Sequence, residues 1–279
     1  MTIGIITALP HEFGAVKALL ENTREHFVDG RGAGRRYWLG EVPAANGGSN
    51  TVALALLPDT GNTIASTRAT LLLEHFQNAQ AIIMTGIAGG VPFPEKAEHH
   101  VRLGDIIVSN RYGVVQYDYV KTERCREGEK EWVENTNRHP PRAPSALFLE
   151  AAVYLVAGEM EESKPWLGLI QQACERLGIR RPGEETDTLA RSDNPEETVP
   201  HPRDDAREPG VPRVFRGPIA SANVLLKDPI RRDALRDAFG VKAVEMEGSG
   251  ISDATWTLEE GYFIVRGVCD YCDKNKGDA

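Results

Sequence analysis

The sequence predicts an α/β fold, a single domain with a large mixed central sheet flanked by helices. Three observations carry this. Continuous apolar runs of strand length recur along the chain, stretches with apolar residues at helical spacing lie between several of them, and glycine turns bound most of the runs. With 279 residues, 41% apolar and 26% charged, the chain has the composition of a globule rather than of a disordered polymer. No repeat recurs along it, which excludes a solenoid.

The elements follow in order. Ile3-Gly4-Ile5-Ile6 reads as a short buried strand, residues 7–10 as a turn, and Phe13, Val16, Leu19 and Leu20 recur at helical spacing. A hairpin-like region rich in Gly and Arg, residues 30–38, precedes a second strand run at 51–57. That run ends in the turn Pro58-Asp59-Thr60-Gly61-Asn62. Helical spacing returns over 64–76 through Ala65, Ala69, Leu72, Leu73 and Phe76, and the strand Ala81-Ile82-Ile83-Met84 runs straight into Thr85-Gly86-Ile87-Ala88-Gly89-Gly90. Further strands are expected at 105–109, 113–119, 215–221, 243–246 and 262–268. Between 180 and 213, six prolines among many charged residues read as a long, mobile surface excursion inserted within one domain spanning 1–279.

Charge and cysteine usage narrow the function. Thirty-two basic against forty-one acidic residues leave a net charge of −9, the wrong sign for broad binding of nucleic acid. The opening residues lack the basic segment of a secretory leader and no run is long enough to span a bilayer, so a cytoplasmic protein without membrane contact is expected. Four cysteines do not make a disulfide framework. Cys269-Asp270-Tyr271-Cys272 has the C-x-x-C spacing, yet no second pair completes a tetrahedral set, and no metal or cofactor is expected.

Ligands of open α/β sheets gather at the carboxyl ends of strands, which directs attention to the residues just after each run. Glu12 follows the first, Gly86 to Gly90 the run Ala81 to Met84, Glu245-Met246-Glu247 closes another, and Asp270 follows the last. Three carboxylates and a glycine-rich turn can therefore share one mouth. The glycines let a ligand approach main-chain amides, but neither the dinucleotide fingerprint nor the P-loop is present, and Gly248-Ser249-Gly250 is no nucleophile elbow. The pair Glu245 and Glu247 is expected to part to opposite faces, one pairing structurally and the other meeting ligand. Solvated strand-end charges remain an equally ordinary reading of these carboxylates and of Asp270.

Taken together, Ile3-Gly4-Ile5-Ile6 with Glu12, Thr85 to Gly90, Gly104-Asp105-Ile106-Ile107-Val108-Ser109, Val244-Glu245-Met246-Glu247 and Val265-Arg266-Gly267-Val268-Cys269-Asp270 resemble, in order and spacing, the nucleoside phosphorylase/nucleosidase superfamily. Within it the chain is most similar to 5'-methylthioadenosine/S-adenosylhomocysteine nucleosidases. The resemblance implies an N-glycosidase in which Asp270 protonates the departing adenine and Glu12 activates water. Glu247 would hold the ribose hydroxyls, Met246 the sugar, and the backbone of Ala88 and Gly89 the base and sugar. Asn223, Leu225 and Leu226 fall in the segment that reads adenine, with Leu225 where many relatives carry phenylalanine. Bacterial purine phosphorylases resemble one another in an arginine where this chain has Gly104, so water is expected as nucleophile.

Gly113 to Tyr119, Arg203-Asp204-Asp205, Lys227-Asp228 and Cys269 to Asn275 also resemble nucleosidase domains of immune receptors and anti-phage systems. That subgroup implies an adenosine nucleotide, ATP above all, as substrate, with Arg102 and Lys227 as 5'-phosphate contacts, and a fused module or regulatory partner. Slight preference goes to ATP, ahead of methylthioadenosine or S-adenosylhomocysteine cleavage, phosphorolysis, or a non-catalytic nucleoside sensor. Relatives imply a homodimer or higher homo-oligomer. They also continue into a C-terminal covering helix that is missing after Asp270, so the chain is expected to be a fragment with 271–279 poorly anchored.

Overall fold

The computed structural model describes residues 2–44, 47–161 and 163–274. The chain opens with β1 (Thr2–Thr7) and α1 (Pro10–Leu19), whose fixed Pro10 starts the helix. A meander of β2 (Glu21–Phe27), β3 (Arg36–Pro43) and β4 (Ser49–Leu56) follows, then α2 (Asn62–His75) and the long β5 (Ala79–Gly90). After β6 (Ile106–Gln116) a separate hairpin, β7 (Val120–Glu127) and β8 (Lys130–Asn137), leads to α3 (Ala146–Glu159) and α4 (Pro165–Leu177). The short pair β9 (Leu189–Ala190) and β10 (Thr198–Val199) lies within the excursion. The chain then returns through β11 (Val214–Ser221), α5 (Pro229–Phe239), β12 (Ala243–Glu245), α6 (Gly248–Thr257) and β13 (Gly261–Asp270).

Nine strands form one mixed sheet in the order β12-β11-β6-β13-β5-β1-β4-β3-β2, and β12 also pairs antiparallel with the end of β5. That extra pairing curls the sheet toward a barrel. The expected fold class is therefore present. Ile6, Ile82, Met84 and Ile264 from the central strands pack with Ala65, Ala69 and Leu72 of α2 and Ile251 of α6 in the main core. Gly4 lets α2 lie directly on β1, because a Cβ there would stand 2.6 Å from Leu72 Cδ2.

Three expectations change. The runs at 105–109 and 113–119 are one strand: Gly113, at φ +60°, takes up the bend that separates them, under Tyr262 and the Arg142 carbonyl. The hairpin-like region at 30–38 is the turn and the opening of β3 within a longer β2–β3 hairpin that begins at Glu21. Tyr271, Cys272 and Asp273 are buried instead of loosely anchored, while the remainder of 275–279 lies outside the described residues.

Candidate active site

The carboxyl end of β1 delivers Glu12 to the site. As the third residue of α1 it reaches back to accept the N–H groups of Ala8 and Leu9 on Oε2, at 2.9 and 2.8 Å, the reciprocal half of a capping box. Its other oxygen accepts the Ile87 N–H of β5 at 2.8 Å. Three main-chain donors thus hold a carboxylate that is only 6% exposed. Gly86 beside it has no room for a side chain: a Cβ would meet Glu12 Oε1 at 2.3 Å and Arg266 Nη1 at 2.7 Å.

Arg266, on β13 and 1% exposed, gathers the other two glutamates. Its Nη2 donates to Glu245 Oε2 and, at 3.2 Å, to Glu247 Oε2. Glu245 also accepts the N–H groups of Glu247 and Gly248 at 3.0 Å each. The expected parting of Glu245 and Glu247 does not occur. Residues two apart share a strand face, and β12 ends at Glu245, so both side chains turn onto the same guanidinium. Glu247 Oε1 accepts the Gly61 N–H at 3.3 Å. Burial pushes the Glu247 carboxyl up to about 7, with Arg266 opposing and Glu245 and Glu12 adding to the rise.

Asp270 ends β13 opposite Gly89 of β5. Its Oδ1 accepts the Cys272 N–H at 2.7 Å, and the Cys269 thiol donates to Oδ2 at 3.1 Å. A Cβ on Gly89 would lie 2.9 Å from that Oδ1 and 2.2 Å from Cys272 Sγ, so the glycine is what allows the carboxyl to lie against the strand. Glu12 is tied at Ile87 and Asp270 at Gly89, with buried Ala88 between them. In extended chain this spacing is roughly 7 Å.

The other expected residues divide. Met246 is half-buried between the two glutamates. Asn223 is set by its own N–H on Asp118 Oδ2 at 2.8 Å, and its Oδ1 accepts the Asn62 N–H at 2.9 Å, beside the Gly61 turn that meets Glu247. Leu225 is 49% exposed, whereas Leu226 packs in a core cluster with Ala222 and Leu235 and turns its side chain away. Arg102 donates to the Pro202 carbonyl at 2.9 Å, and Lys227 is half-buried at the foot of α5. Sequence reasoning assigned no role to Arg266, Gly61 or Asn62, although an arginine inside the apolar run 262–268 was a legible signal. Asn62 Oδ1 accepts from the Gly250 N–H and the Ser221 hydroxyl, at 2.9 and 3.0 Å, joining three elements behind the site. A cavity of about 800 Å³ lies next to Pro58 and Ile64, with Phe13, Trp38, Arg36 and Arg68 also in its wall, and Glu12, Glu247 and Asp270 do not line it.

The sequence and the fold have counterparts among known proteins. A family model described as the phosphorylase superfamily matches residues 2–279. The chain belongs to this superfamily. It is 28% identical to a nucleotide-binding leucine-rich repeat (NLR)-like protein of Hyaloscypha variabilis, over 99% of the chain and 27% of that protein. It is 27% identical to the ATP nucleosidase Cap17 of Escherichia coli, over 99% of the chain and 47% of that enzyme. The chain thus spans about a quarter and about half of these two relatives. With the 5'-methylthioadenosine/S-adenosylhomocysteine nucleosidase of Mycobacterium bovis it shares 25% identity, over 99% of the chain and 88% of the enzyme. The fold is that of the Neisseria meningitidis nucleosidase solved with methylthio-immucillin-A, with a TM-score of 0.59 at 19% identity, covering 98% of this chain and 87% of that one.

Proposed function

We propose that this superfamily member hydrolyses the N-glycosidic bond of an adenine nucleoside. The observation that carries the reading is the mounting of Glu12 and Asp270 on β5 two residues apart, with Glu247 held between Arg266 and the Gly61 amide. In the proposed reaction Glu12 takes a proton from water as its oxygen bonds to C1' of the ribose. The C1'–N9 bond breaks, its electron pair passes into adenine, and Asp270 supplies the proton that the base takes up. Glu247 accepts hydrogen bonds from the ribose hydroxyls and fixes the ring between the two.

Water rather than phosphate as nucleophile is supported by Gly104. Its φ is +79°, in the left-handed region that an arginine would occupy under strain, and Arg181 lies 3.1 Å from where a Cβ would stand. For the 5' group, a thioether such as that of 5'-methylthioadenosine or S-adenosylhomocysteine is the better supported. The nucleosidases named for those substrates are matched over 88% of their length. A second reading, ATP as substrate, rests on the likeness to the ATP nucleosidase.

The deciding experiment incubates the protein with 5'-methylthioadenosine, S-adenosylhomocysteine, adenosine and ATP, with and without phosphate, and separates the products by chromatography. Free adenine from the thioethers without phosphate is expected. Adenine from ATP alone selects the second reading, a requirement for phosphate with formation of ribose 1-phosphate selects phosphorolysis, and binding without adenine release selects a sensor.

A further inference from the structure

Tyr271 directly follows Asp270, and groups that the proposed reaction does not use grip it at both ends. Its hydroxyl donates to Asp187 Oδ1 at 2.6 Å and accepts the Leu103 N–H at 3.1 Å. Its carbonyl accepts from Arg232 Nη1 at 2.6 Å, and that buried arginine donates through Nη2 to the Ser192 hydroxyl at 2.9 Å. Asp187 and Ser192 both belong to the excursion that the sequence reads as mobile. A directional chain of donors braces Asp187 in turn. The Phe93 N–H donates to His100 Nδ1 at 3.1 Å, which places the proton of the neutral ring on Nε2. That proton goes to His201 Nδ1 at 2.8 Å, and His201 Nε2–H reaches the Asp187 carbonyl at 2.9 Å and its Oδ1 at 3.3 Å.

The consequence for Asp270 passes through the next residue. Cys272 has φ +54°, a left-handed backbone conformation that is costly for a non-glycine residue and persists only where its surroundings hold it. Its N–H is the donor that fixes Asp270 Oδ1. We propose that Asp187 and Tyr271 are positioning residues: the excursion holds the Tyr271 hydroxyl through Asp187, Arg232 of α5, braced on Ser192, holds its carbonyl, and together they keep the Cys272 amide where it aims the Asp270 carboxyl at the departing base. The assignment rests on the role given to Asp270 above. It turns an insertion with no chemistry of its own into part of what aligns the acid.

The test compares Tyr271→Phe, Asp187→Asn and Asp187→Ala with the unaltered protein in the adenine-release assay, alongside alkylation of Cys272 followed by peptide mass spectrometry. Cys272 is 1% exposed, and the free Cys125, on the separate β7–β8 hairpin, is an internal control. Tyr271→Phe and Asp187→Ala are expected to lower kcat roughly 10- to 100-fold, the range a misplacement of about 1 Å produces, with KM within about threefold and circular dichroism unchanged. Cys272 labelling should accelerate in both, with Cys125 labelling constant. Asp187→Asn, which keeps an acceptor oxygen for Tyr271, should recover most of kcat. Unaltered kcat in Tyr271→Phe, or losses in Asp187→Ala that match the loss of folded protein and are not rescued by asparagine, would overturn the clamp. If the unaltered protein releases no adenine, the role of Asp270 falls. The labelling still decides the clamp, since an unchanged Cys272 rate in both disrupting variants overturns it.

Discussion

Asp270 and Glu12 are bound into the protein in different ways, and the difference suits their proposed tasks. Glu12 is spanned by three main-chain N–H groups, which fix both of its oxygens, whereas a thiol, that of Cys269, stands beside the Cys272 N–H among the donors to Asp270. Asp270→Asn keeps the shape but cannot deliver the proton, and should lower kcat by about 10²- to 10⁴-fold with an unchanged fold by circular dichroism. Glu247 gives a pH signature. With its carboxyl raised to about 7, the fraction able to accept from two ribose hydroxyls falls as pH drops through that value. The profile of kcat/KM should therefore lose activity below about pH 7, and Glu247→Gln should be weaker overall but lack that limb. A limb that persists in the glutamine variant assigns it to another group. Much of this was legible, because Glu12, Glu247 and Asp270 each follow a strand. Arg266 was not read as a site residue because its role depends on two glutamates that only the pairing of β13, β5 and β12 brings to it.

At the scale of elements, the site depends on how closely α2 and α6 approach. Gly250 stands directly over the first residue of α2, and a Cβ there would meet the Asn62 carbonyl oxygen at 1.9 Å, a backbone atom that cannot swing aside. Gly250→Ala should cost about 1–3 kcal/mol of stability by separating the helices. It should also raise KM, since the Gly61 amide that meets Glu247 immediately precedes Asn62; thermal melts and adenine release read the two effects separately. This contact explains why Gly248-Ser249-Gly250 looks like a nucleophile elbow without being one. Local pattern identified the central strands and α2 well, as their apolar runs are continuous. It failed where long-range packing decides: Gly113 breaks the pattern of β6 without breaking the strand, and the prolines of the excursion conceal buried anchors at Leu189 and Ala190.

Across the whole molecule, two buried groups bias stability in opposite directions with pH. Burial, then the neighbouring His201, lowers His100 to about 3, so the unfolded chain binds its proton more readily and stability is lost as pH falls from about 6.5 toward 3. Glu247 is raised, so the folded state binds its proton more readily, and the contribution present at low pH is lost as pH rises from about 4.5 through 7. Between about pH 4.5 and 6.5 the two slopes overlap, each at most about 1.4 kcal/mol per pH unit, and largely cancel. The self-repulsion from a net charge of −9 weakens toward the acidic side in every variant alike. Glu247→Gln removes only the falling slope, so its melting temperature should climb between pH 4.5 and 6.5 where that of the unaltered protein stays nearly level. His100→Gln removes only the rising one and should decline over the same interval. Parallel melting curves for the three proteins across that range would mean that neither group titrates differently in the folded and unfolded chains.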